Sequence, residues 1–309
     1  MTSLVAVSSH LPETVPVDAL KETLGISDQQ VRRFTRLYGL NGICQAPDRS
    51  EADLLLAAAG KLDGLAGQED RVRYVIRAKG LRTTAPYPVS PVQEVRDVLG
   101  LKNARTFAVA DHGCATGLLA VDVAGMLLEA DGDPDALALV LAGDKTLTPF
   151  SQWVADVSIM SEATAAVLVG PGGDRDRMLG YAARIHGRDD GLIDLVGDLA
   201  KEAVRIYQDA LEEVVLAATE EAGITVADLA LVLPHNVNRV SWTVAAKNLG
   251  IGIGKIHLDN IGASGHAFCA DPFINYQSVR ELGLLKPGDY YLMTSAGLGQ
   301  AFAAMVLQH

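Results

Sequence analysis

Apolar residues recur along the chain in two rhythms. Short runs at 4–7, 107–110, 136–142 and 229–233 are almost unbroken, and 71–76 is β-branched and aromatic. Such runs predict strands covered on both faces. Further strands are expected within 159–169, over 178–186 and 256–258, and at 290–294 and 301–307. Between them apolar positions return every three or four residues, as Leu118, Leu119, Met126 and Leu127 do. That spacing predicts helices. Others are expected over 17–24, 28–37, 195–222, 237–249 and 268–282, with Gly250 and Gly252 stopping the fourth of these. Ser50 is placed to cap a helix through Ala59, with Asp53 in capping-box position. Alternating strands and helices imply an α/β protein with mostly parallel pairing. The turn Pro171-Gly172-Gly173-Asp174 divides the chain into halves at 1–172 and 173–309.

Composition narrows the class. The chain has 309 residues, 49% of them hydrophobic, enough for a large core. A net charge of -12 without a basic stripe argues against nucleic acid. Cys44, Cys114 and Cys269 are an odd number without metal-like spacing, which argues against a disulfide framework or a zinc site. The start of the chain lacks an export signal and no apolar run has spanning length, so a cytoplasmic protein without a membrane segment is expected.

The chemistry gathers at strand ends. Cys114 stands in a turn of small residues, Gly113, Ala115 and Gly117, between a strand and a helix. The amino end of a helix favours a thiolate, although a free cysteine is more often a small core residue. His235 follows the strand at 229–233 and His266 follows the loop Asp259-Asn260-Ile261-Gly262-Ala263-Ser264-Gly265. Active sites of open α/β sheets assemble at such carboxyl ends. A cysteine can take an acyl group as a thioester, and a histidine can move a proton or donate to a developing oxyanion.

Four stretches resemble one family. Residues 5–20 are similar to the first strand and Leu-Pro-Glu turn of β-ketoacyl-[acyl carrier protein] synthase III, in the thiolase superfamily. Residues 111–124 resemble its nucleophile elbow, 231–242 its Pro-His-Gln-Ala-Asn motif, and 295–307 its closing glycine-rich loop and strand. The resemblance implies a thiolase-like fold, two similar α/β halves in an α-β-α-β-α layering, and usually a homodimer. It carries the acyl-accepting nucleophile to Cys114, the catalytic histidine to His235 and a substrate-binding amide to Asn238. It also implies an oxyanion hole from the backbone N–H of Cys114 and of the Gly297–Gly299 loop. An acyl-CoA or acyl carrier protein would be the donor, with no cofactor.

The departures bear on function. Where the family has Asn in Gly-Asn-Thr-Ser, this chain reads Gly265-His266-Ala267-Phe268, and Asp271 follows. Asp271 is either a first-turn acid of the next helix or the partner of His266. Arg36-Leu37-Tyr38-Gly39-Leu40 only partly matches the family's arginine motif that meets CoA, so Arg32, Arg33 and Arg36 are phosphate candidates or a solvated helix face. Trp153 and Phe268 are candidates for acyl contact, against the plainer reading of core. Asp144 and Glu162 read as structural acids. Two enzymatic readings follow. In the favoured one, His235 donates to the incoming carbonyl while His266 acts as base for an oxygen or nitrogen acceptor, without decarboxylation, in secondary metabolism. In the other, both histidines hold a malonyl thioester for decarboxylative condensation. A non-catalytic partner subunit is the third reading, which the presence of Cys114 disfavours.

Overall fold

The computed structural model describes residues 1–81, 88–154, 157–186, 198–297 and 299–309. Its nine-stranded sheet comprises β1 (Thr2–His10), β2 (Val72–Ala78), β3 (Arg105–Val109), β4 (Leu137–Ala142), β5 (Thr164–Pro171), β6 (Arg177–Ile185), β7 (Leu229–Pro234), β8 (Tyr290–Gly297) and β9 (Ala301–Gln308). The spatial order is β7-β8-β9-β6-β1-β5-β4-β2-β3. Strands from the first 171 residues thus lie together, as do those from 177 onward, and the two groups meet at the pair Ser3–Arg177. The principal helices are α1 (Glu51–Ala59), α2 (Thr116–Asp131), α3 (Asp198–Glu221), α4 (Arg239–Asn248) and α5 (Asp271–Glu281).

Side-chain alternation along each strand builds the layers. On β5, Ala165, Val167 and Val169 join a central core with Leu118 and Val121 of α2 and Phe273 and Ile274 of α5. That core also takes Met293 of β8 and Met305 and Leu307 of β9, so α2 and α5 are sandwiched between the two strand groups. The opposite face of β5, Ala166 and Leu168, packs with Leu55 and Ala58 of α1. Phe302 and Val306 of β9 pack outward with Leu211 and Val214 of α3 and Trp242 of α4. Helix, sheet, helix, sheet, helix is the resulting order, a thiolase-like α/β arrangement.

Strand direction departs from expectation. Only β7–β8, β2–β3 and β2–β4 pair in parallel. The pairs β1–β5, β1–β6, β6–β9, β8–β9 and β4–β5 are antiparallel. A continuous apolar run reports cover on both faces, and here helical layers supply that cover whatever the direction. Two elements also differ. Ile256 makes an isolated bridge to Val232 rather than a strand. The helix expected from 268 begins as a 3-10 turn, Phe268–Ala270, because Phe268 has a φ of 53°. The stretch after Asp28–Arg32 is a π-helix, Arg33–Tyr38. The Ser50–Asp53 capping box forms as the spacing predicts. The expected start of α3 at 195–197 lies outside the described residues, as do parts of the loops at 85–91 and 146–157. Among the described residues, Gly113–Asp131 is long and apolar enough to cross a membrane, yet 56% of its most apolar window is buried, and α2 within it lies in the central layer.

Candidate active site

The loop after β3 leads through a 3-10 turn, Gly113–Ala115, into α2, and so delivers Cys114 to the amino end of that helix. The Ser295 hydroxyl on β8 donates to the Cys114 carbonyl at 2.8 Å and pins the turn. The Cys114 side chain packs with Met160 and Phe268, against which Leu81 and Val154 also lie. Gly297 ends β8 directly beside this turn. A Cβ there would fall 2.6 Å from the Cys114 nitrogen and 2.4 Å from the His112 carbonyl oxygen. Both atoms are backbone and cannot step aside, so only glycine permits the approach. Gly297→Ala is expected to push the elbow out of place and lower acyl transfer by about 100-fold, the worth of one oxyanion-hole donor. Turnover measured alongside far-UV circular dichroism checks this.

His266 reaches Cys114 from the far half of the chain. Its backbone is fixed on both sides, its N–H donating to Ile159 and its carbonyl accepting from Ser161. Gly265, at φ 68°, makes the bend, and a Cβ there would sit 2.6 Å from Ile43. His266 Nε2 lies 3.2 Å from Cys114 Sγ, and Nδ1 lies 2.5 Å from Asp271 Oδ2. Asp271 is fully buried as the first residue of α5, where the helix dipole favours a carboxylate. It also accepts from the backbone N–H of Asn236 at 2.6 Å and of Ala267 at 2.7 Å. Behind it runs an amide chain. Asn236 Nδ2 donates to Asp271, Asn275 to Asn236 at 2.9 Å, and Asn260 to Asn275 at 2.8 Å. Each buried amide is thereby satisfied, and the carboxylate is held in one orientation.

The electrostatics separate the two histidines. Burial alone pulls the His266 ring down. The Cys114 sulfur and then Asp271 outweigh it, holding the ring up at about 10. At neutral pH His266 is therefore an imidazolium between the sulfur and a carboxylate. A pKa raised on folding adds stability that is complete below the ordinary value near 6.5 and is lost as pH rises through about 10. The thermal midpoint of the wild type is thus expected to fall more steeply from pH 7 to 10 than that of His266→Asn. Equal slopes in a scanning-fluorimetry series would contradict the pairing.

His235 has the opposite character. Burial, then the neighbouring His266, pulls its ring down to about 3, so it stays neutral. Its backbone N–H donates to Thr294, and its carbonyl accepts from Trp242 Nε1 at 2.9 Å. The ring stands 5.8 Å from that of His266. Its Nε2, however, meets the hydroxyl of Tyr207 on α3 at 2.9 Å, and its Nδ1 is buried without a partner. His235 was expected to donate to an incoming carbonyl, and its Nε2 partner here, Tyr207, is a residue that sequence reasoning did not single out.

The other candidates fall into two groups. Phe268 lies with Cys114, its ring stacked on His266 at 6.4 Å. The Asn238 oxygen caps α4 by accepting from Ser241 N–H at 2.8 Å, and its amide donates to the Val157 carbonyl. Trp153 packs edge-on against Phe34 at 5.5 Å in the outer core, and Val154 takes the place expected for it near Cys114. Arg32 and Arg36 are exposed on the segment 28–38. Gly299 is exposed at φ 85°, and Leu298 between it and Gly297 lies outside the described residues. Asp144 bonds Arg77 at 3.3 Å and the Gly80 N–H, while Glu162 holds Lys145, Thr146 and Ala46, as structural acids do.

Comparison with known proteins agrees with the fold. Residues 219–309 match the family 3-oxoacyl-[acyl-carrier-protein (ACP)] synthase III C terminal. A β-ketoacyl-[acyl-carrier-protein] synthase III of Lactobacillus delbrueckii subsp. bulgaricus is 25% identical over 331 aligned residues, covering 97% of this chain and 97% of that protein. The enzyme of the same name from Aquifex aeolicus is 27% identical over 208 residues, 63% of this chain and 64% of that protein. Among solved structures, ChlB3, described as an acyltransferase, superposes with a TM-score of 0.85 at 22% identity over 99% of this chain and 97% of its own. The layered arrangement is thiolase-like, residues 219–309 match the C-terminal synthase III family, and the chain is similar nearly end to end to β-ketoacyl-[acyl-carrier-protein] synthase III proteins.

Proposed function

We propose that the chain is a thioester-dependent acyltransferase, which loads an acyl group from a CoA or carrier-protein thioester onto Cys114. It then passes that group to an oxygen or nitrogen acceptor, without decarboxylation, in secondary metabolism. The observation that carries this reading is the continuous line from Cys114 Sγ to His266 at 3.2 Å and on to Asp271 at 2.5 Å. A nucleophile, a base and a carboxylate that orients the base are the parts acyl transfer to a hydroxyl requires.

Each step follows from that line. The Cys114 sulfur, 3.2 Å from His266 Nε2, attacks the thioester carbonyl. The tetrahedral oxyanion forms next to the Cys114 N–H, in the space that Gly297 leaves open. Its collapse breaks the bond to the departing thiol, which takes the His266 proton. The acyl-sulfur now carries no charge, so one of the two influences that held the His266 ring up is gone. Neutral His266, oriented by Asp271, then removes the proton from the acceptor O–H or N–H as that atom attacks. Ester or amide leaves as the C–S bond breaks, and the Cys114–His266 pair is restored.

Decarboxylative condensation is the second reading, favoured by the names of the relatives at 22–27% identity. It needs free N–H donors at the enolate oxygen. Asp271 engages Nδ1 of His266, and Tyr207 engages Nε2 of His235. A homodimer is part of the proposal, joined through β3, the edge strand of the sheet. The test is a single-turnover chase. Acyl-Cys114 enzyme mixed with a panel of alcohols and amines should yield an O- or N-acyl product with no CO2. Acyl-enzyme discharged only by malonyl thioester, with CO2 evolved, would reverse the order of the two readings.

A further inference from the structure

The two histidines leave one hydrogen-bonding question open, and α3 answers it. Tyr207 packs its ring against His235 and Phe302, at 6.1 and 5.7 Å, with its hydroxyl 2.9 Å from His235 Nε2. A phenol O–H is a donor before it is an acceptor, and His235 Nε2 is its hydrogen-bond partner here. A neutral imidazole that accepts at Nε2 carries its proton at Nδ1. That nitrogen is buried with no partner. In that tautomer the buried Nδ1–H is an orphaned donor, which costs about 1–3 kcal/mol.

We propose that Tyr207 is a specificity-determining positioning residue, which donates to His235 Nε2 and so withdraws the N–H that a malonyl-derived enolate would need. In decarboxylation the bond between C2 and the carboxylate breaks, CO2 leaves, and the electron pair moves into the thioester as an enolate. With His235 Nε2 turned into an acceptor, the enolate oxygen meets no donor at that nitrogen. Acyl transfer to oxygen or nitrogen forms no enolate and does not need that donor. This role rests on the acyl-transfer reading and says how the site keeps to it.

Tyr207→Phe returns the proton to Nε2 while keeping the ring. One donor at a developing oxyanion is worth about 100-fold in rate, so CO2 released from carboxyl-labelled malonyl-CoA should rise at least about tenfold. It is counted per acylated Cys114, so that a change in loading does not register. The same exchange is read without substrate from the 15N chemical shifts of His235, which should report Nδ1–H in the wild type and Nε2–H in Tyr207→Phe. A wild-type ring protonated at Nε2 overturns the role, even if the variant does not fold. Loaded Cys114 with CO2 release unchanged in the variant overturns it too, leaving acyl transfer standing. Wild-type Cys114 that no thioester acylates overturns the acyl-transfer reading and this role together.

Discussion

Cys114→Ala is expected to remove both the acyl adduct and turnover, with kcat falling by about a million-fold, the scale on which loss of a nucleophile acts in a triad. The side chain is small and packs with only Met160, Phe268, Leu81 and Val154, so the fold should survive its truncation at about 1 kcal/mol. Chemistry and stability thus separate cleanly at this residue. Intact-protein mass after incubation with acyl-CoA checks the first, and a thermal melt the second. Residual turnover within tenfold of wild type would mean that acyl groups move directly between donor and acceptor, with the sulfur a bystander.

Asp271→Asn should be nearly as damaging for a different reason. The carboxylate receives the His266 Nδ1 proton and two backbone N–H groups, and the side-chain amide of Asn236 also points at it. An Asn of the same shape presents either an acceptor or a donor to His266, never the negative charge that holds an imidazolium. The orienting carboxylate of a comparable triad is worth about ten-thousand-fold in kcat. The loss should fall on kcat rather than KM, because Asp271 touches no substrate. A stopped-flow split sharpens the expectation. Transfer from preformed acyl-Cys114 should slow at least as much as loading, since only in that step must neutral His266 act as base. If loading and transfer both stayed within tenfold of wild type, Asp271 would be a helix acid and no more.

The sequence made the nucleophile and the second histidine legible because each stands where an apolar run stops. Cys114 in its glycine-rich turn and His266 after Gly265 are local signals, and the helix amino ends that follow them are local too. Asp271 was ambiguous, since a first-turn acid and an oriented carboxylate look alike in a linear chain. Its burial and its 2.5 Å contact decide between them. Asn238 also serves the helix that bears it, capping α4, which a motif match does not reveal. Strand direction was hidden for a related reason. Apolar runs report how many faces are covered, while direction depends on connections such as the short turn between β8 and β9.

Tyr207 was beyond reach of periodicity altogether. In the sequence of α3 it is one aromatic on an amphipathic helix, and nothing local connects it to His235, 28 residues later. Asn236 and Asn275 were equally silent. Their role appears only when α5 is packed under the end of β7, where Asn275 also donates to the Pro234 carbonyl at 2.7 Å. Residues that bind substrate or move protons tend to sit at breaks in a pattern, whereas residues that orient them sit inside regular elements.

The most direct test of the central claim is the mass of the intact protein after incubation with acetyl-, butyryl- and malonyl-CoA and their carrier-protein counterparts, with Cys114→Ala alongside and CO2 trapped in parallel. Non-decarboxylative transfer through Cys114 predicts an adduct of the full acyl mass, malonyl included, absent from Cys114→Ala and discharged by an alcohol or amine. A carbon–carbon-joined product with one CO2 for each malonyl group consumed would contradict it.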